Sequence, residues 1–201
     1  MTHTLNRTGL ASPESSNEFI FLCMIPAAWK GTKTAEMVEI CDILLKHKPD
    51  NMIGIPAGLD EEGLRKMAAN ATILTAVFNN PVSIQNAVKE VKDKNLGVSI
   101  VLSGLFDGIN TLCNNIGACE HTHNISLGVF GKTDRLPDES VLEITTQCGH
   151  ALISSLYVEH VVKSIKKGKL TSEEGMKMLV KPCVCGIANP GRIKNSLEKL
   201  R

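Results

Sequence analysis

Residues 18–26 read EFIFLCMIP. The apolar run is unbroken from Phe19 to Ile25 and stops at Pro26. A strand with one wet face would alternate apolar and polar residues; a strand covered on both faces need not. The run therefore predicts a fully buried strand. Working outward, ATILTAVF (71–78) and GVSIVLS (97–103) read the same way, and NMIGIP (51–56) and NISLGVFG (124–131) are further candidates.

Helical patterns fill the intervals. In residues 34–47, Met37, Val38, Cys41, Leu44 and Leu45 share one helical face. Asp60 can cap a helix over EEGLRKMAA, and Asn80 can cap another that starts at Pro81. Residues 104–117 place Leu105, Ile109, Leu112, Cys113 and Ile116 on one stripe. Strand and helix alternate across residues 18–136, which predicts an α/β domain with a mainly parallel sheet layered with helices. Residues 1–17 are polar and read as a flexible N-terminal arm.

After Leu136 the strand pattern disappears. Residues 137–201 read as an all-helical C-terminal subdomain, with helix starts near Asp138 and Pro190 and a capping box from Thr171 to Glu174. This part also carries KPCVCGIANPG (181–191), two thiols one residue apart between Pro182 and Gly186. Cys148-Gly149-His150 lies upstream. A helix from about Ser155 to Lys167 runs roughly 19 Å, and one from Ser172 to Lys181 returns roughly 15 Å. That antiparallel hairpin brings Cys183 and Cys185 back to Cys148 and His150, with the Cys148 and Cys183 sulfurs within about 8 Å if they share a metal at roughly 2.3 Å per bond.

Cys148, His150, Cys183 and Cys185 are therefore the candidate metal ligands. Three thiolates and an imidazole suit tetrahedral zinc; three thiolates with a fourth position open or filled by His also suit an iron–sulfur cluster. Gly149 and Gly186 allow backbone N–H groups to approach sulfur, and this favours the cluster. Neither C-x-H nor C-x-C is a common zinc-finger spacing. A weaker set is Cys119, His121 and His123, which face one way if the segment is extended; the competing reading is an exposed loop before a strand.

Other motifs lead elsewhere. GVFGKT (128–133) lacks the first glycine of a phosphate loop, since position 126 is Ser. Lys30 to Thr34 and Ser103 to Asp107 stand at strand-to-helix turns, where α/β folds bind small ligands. Lys163, Lys166, Lys167 and Lys169 read as a solvated helix end.

Composition bounds the function. Lys and Arg number 22 against 21 Asp and Glu, a net charge of +1, which argues against nucleic acid as the partner. Aromatics are 3%, too few for base-stacking platforms. No long apolar run predicts a membrane segment or a leader. Seven cysteines without a secretory signal suggest reduced thiols in the cytoplasm.

The expectation is a cytoplasmic metal-binding protein holding an iron–sulfur cluster or zinc, with a redox or metabolic-enzyme role. The alternatives are a metal-independent thiol enzyme and a non-catalytic small-ligand-binding α/β protein. A small molecule and a second copy of the chain are the partners this leaves open.

Overall fold

The computed structural model describes residues 18–125 and 128–200. The arm expected at 1–17 lies outside them. Four strands form one sheet: β1 (Phe19–Met24), β2 (Asn51–Met52), β3 (Ile73–Phe78) and β4 (Ser99–Ser103). Helices α1 (Thr34–Lys46), α2 (Glu61–Ala68), α3 (Pro81–Lys94) and α4 (Phe106–Asn115) accompany them. The C-terminal part is α5 (Glu139–Thr145), α6 (Ser155–Lys166), α7 (Ser172–Val180) and α8 (Pro190–Lys199).

The sheet order is β2-β3-β1-β4. Every neighbouring pair is antiparallel: β1 with β3, β1 with β4, and β2 with β3. The expected mainly parallel sheet is therefore wrong. The reason lies in how the strands interleave. Both β1 and β2 run opposite to β3, so they share a direction; β3 and β4 likewise share one. The pairs β1–β2, joined through α1, and β3–β4, joined through α3, each return in the same sense but leave room for one strand of opposite sense between their members. These are two split β-α-β units, the ferredoxin-like connectivity, with α2 added between β2 and β3.

The continuous apolar runs reported two-sided burial, and the burial is real. Phe21, Leu74 and Phe78 pack on one face against Met37, Ile40 and Leu44 of α1 and Ile84 of α3. Ile20 and Val77 on the other face pack in a second core with Ile144, Val158, Leu179 and Ile193 from the C-terminal helices. An antiparallel sheet covered on both faces carries the same hydrophobic signature as a parallel one.

Helix starts follow their caps. Asp60 accepts from the Gly63 amide, and Asn80 accepts from the amides of Val82 and Ser83. Thr171 and Glu174 close the expected capping box, and Asn189 accepts from the Arg192 amide ahead of α8. The expected strand at 124–131 does not form in its described residues: position 125 is a single bridge and 128–131 carry no strand, while 126 and 127 lie outside the described residues. Among the described residues after β4 there is no further strand, and no helix is long and apolar enough to cross a membrane.

The helical layer is pinned to the sheet by the turn between α7 and α8. Gly186 has φ of +63°, and a Cβ there would lie 2.1 Å from the carbonyl carbon and oxygen of Met52 in β2. The Thr75 hydroxyl donates to the Cys185 carbonyl, and the Asn51 side chain donates to the Ala188 carbonyl at 2.9 Å. Asn79 and Asn189 exchange side-chain hydrogen bonds at 2.6 and 3.2 Å. At the start of β1, buried Glu18 pairs with Arg192 of α8 at 2.7 Å.

Gly186→Ala meets both a left-handed backbone and the β2 main chain. It is expected to destabilise the fold by about 3 kcal/mol or more. For a chain of this size that lowers Tm by roughly 6–12 °C. Thermal unfolding followed by circular dichroism reads this; a shift below about 2 °C would show that the turn does not rest on β2.

Candidate thiol site

The α6–α7 hairpin returns the chain as the helix lengths require. Cys148 follows α5 in a short turn, and Cys183 and Cys185 follow α7. All three are buried, at 3%, 0% and 8% exposure. The Cys183 and Cys185 sulfurs are 3.6 Å apart. Cys148 lies in the same buried core as Cys183 and Cys185. Segments separated by more than thirty residues thus share that core.

The three thiols shift one another. The neighbouring Cys183 thiol, with burial, pushes the Cys148 thiol far above the ordinary range. Cys183 is lowered by Cys148, but the Cys185 thiol and burial leave it raised on balance. Cys185 is shifted the other way. The Cys183 hydrogen bond draws it below the ordinary thiol value despite burial, and the Ile187 amide adds to the effect. The group concentrates thiolate character on one sulfur.

Backbone amides complete the setting. The Ala188 N–H donates to the Cys183 sulfur at 3.3 Å. The backbone at His150 and Leu152 works against the effects of Cys183 and burial and lowers the Cys148 thiol. Ala151, between them, has φ of +56°. Amide donors around sulfur favour the ionised form.

His150 acts on Cys148 through its backbone, and its residue is exposed at the turn. Among the described residues, no group of three or more His, Cys, Asp or Glu side chains is placed so that it could hold a metal ion. The sulfurs here are partners of one another.

Cys119, His121 and His123 lie elsewhere, along a cleft at the outer edge of β4. His123 meets the Phe106 ring edge to face, with centroids 5.2 Å apart. Lys30 and Thr32 are exposed; the Lys33 ammonium is held by Glu36 at 2.8 Å and the Leu96 carbonyl at 3.1 Å. Thr34 opens α1 and donates back to the Gly31 carbonyl. Asp107 is exposed in the first turn of α4, and Ser103 is buried at the end of β4.

Sequence reasoning located the thiols but missed what holds them. Thr75, Asn51 and Asn189 support the turn, and Gln147 accepts from the Asn189 amide at 3.1 Å. A threonine inside an apolar strand was the available signal: buried hydroxyls need partners. The walls of the β4 cleft carried no signal, because Ile109 and Cys113 read as an ordinary core stripe.

Alkylation of the native protein should rank the thiols. Exposed Cys119 reacts first. Within the trio Cys185 reacts before Cys183 and Cys148. Cys23, pushed up to about 12 by burial, reacts only on unfolding. Timed iodoacetamide labelling with peptide mass mapping measures this; Cys148 reacting ahead of Cys185 would refute the ranking.

Comparison with protein-family models, with curated proteins and with solved structures found no match for this chain.

Proposed function

We propose that Cys148, Cys183 and Cys185 are the working centre of the protein and that they take up a single soft metal ion of the zinc class. The observation that carries this reading is the 3.6 Å separation of the Cys183 and Cys185 sulfurs, with Cys148 in the same buried core. Two thiolates on one tetrahedral zinc at about 2.3 Å stand about 3.8 Å apart. A four-iron cluster gives each thiolate its own iron and spreads the sulfurs beyond mutual contact. Of the two cofactors the residue types suggested, the spacing supports zinc.

Uptake exchanges S–H···S bonds for metal–sulfur bonds and releases protons. The amide aimed at Cys183 would then stabilise its thiolate. Three protein sulfurs leave a fourth position for a water, for His150 or for a substrate, the arrangement that distinguishes catalytic from closed structural zinc sites. A reducing, cytoplasmic setting belongs to this proposal, because oxidation would remove the ligands.

The lowered Cys185 favours a second reading, in which that sulfur is a nucleophile and the other two thiols tune it without metal. The two differ in which substitutions matter.

Cadmium and cobalt titrations of the reduced protein, read by thiolate charge-transfer absorbance, test the proposal. About one ion per chain is expected. Ser at position 148, 183 or 185 should each abolish tight uptake, and Cys119→Ser should not. Uptake should weaken as pH falls, since Cys148 and Cys183 keep their protons above the ordinary thiol range. No uptake by the reduced chain, or uptake that survives the substitutions, overturns the metal reading; loss of reactivity confined to Cys185→Ser would favour the nucleophile.

A further inference from the structure

The thiol trio sits over the β2–β3 side of the sheet. A second feature lies at the opposite edge. Along β4, the segment 118–124 folds back over α4 and leaves a cleft of about 270 Å³. Its floor is apolar: Ile100 and Leu102 from β4, Phe106 and Ile109 from α4, and Val88 from α3. Its lip is polar and comes from the segment that carries His121 and His123.

Two contacts fix this geometry. The Lys92 ammonium donates to the Ile116 carbonyl at 2.8 Å, which caps the last turn of α4 and places a cation in the wall. At the other end, His123 stands edge to face on Phe106. The segment is therefore tethered at both ends of α4, with the space enclosed between.

The polar groups in the cleft are unevenly matched. Lys92, His121, His123, Asn110 and Asn124 can all donate hydrogen bonds; Glu120 is the one carboxylate. A ligand with an acceptor head suits the lip, and one with an apolar body suits the floor. The volume is below that of a drug-sized pocket and accommodates a body on the order of a dozen non-hydrogen atoms.

We propose that the β4 cleft binds a small carboxylate with an aryl or short aliphatic body, its apolar part between α4 and β4 and its carboxylate on the donors of His121 and His123. The site is independent of the thiol trio.

Ligand-observed NMR with phenylacetate and hexanoate, each against its neutral amide, tests this on the full chain. The acids should bind at least fivefold more tightly than the amides. Asn110→Phe, at an exposed position of α4 that lines the cleft, should block both by filling the space. The paired change His121→Asn and His123→Asn should bring the acids down to the affinity of the amides and leave amide binding unchanged. Cys148→Ser should alter neither. The proposal is overturned if no probe binds, if acid and amide bind equally, or if acid binding survives both the Asn110 and the histidine changes.

Discussion

The structure depends on the contact between Gly186 and the main chain of β2. At this point the helical layer touches the sheet backbone to backbone, with no side chain between. The approach is close enough for Thr75 to reach the Cys185 carbonyl and for Asn51 to reach Ala188. Buried carbonyls of an irregular turn must find donors or cost about 1–3 kcal/mol each. The sheet supplies those donors from Thr75 inside the apolar strand β3 and from Asn51 at the start of β2. The C-terminal helices are thus fastened by polar bonds inside an apolar interface, which sets their register as well as their adhesion.

The thiol chemistry follows from that fastening. Cys185 immediately precedes Gly186 and Cys183 lies three residues before it, so their sulfurs inherit the rigidity of the contact. The turn after α5 meets them because α6 and α7 form a hairpin of matched length. Each sulfur then has another sulfur or an amide as its partner, in a place where solvent contributes little. Burial alone would raise all three thiols. The contacts among the thiols divide the effect, raising Cys148 and Cys183 and lowering Cys185. Metal uptake and nucleophilic attack, the two proposed uses, would both begin by removing a proton from this group of thiols.

The elements themselves were largely legible. Asp60, Asn80, Thr171 and Asn189 each cap a helix, because a capping side chain acts on amides two or three residues away. The apolar runs at 19–25 and 73–78 correctly reported two covered faces. They could not report strand direction, which no local pattern encodes. The expected strand after residue 123 had the right residue types, but its described positions carry no strand, only an isolated bridge at 125.

The sequence by itself determined where helices and strands begin, that β1 and β3 are buried on both sides, and that a helical hairpin brings the CGH and CVC segments together. Each of these rests on interactions between near neighbours or on helix length. Only the tertiary structure decided that helix-linked strands interleave into an antiparallel sheet, that Thr75 and Asn51 hold the thiol turn, and that residues 118–124 enclose a cleft against β4. Those outcomes depend on contacts between residues far apart in the chain, whose pairing is chosen by the packing of whole faces.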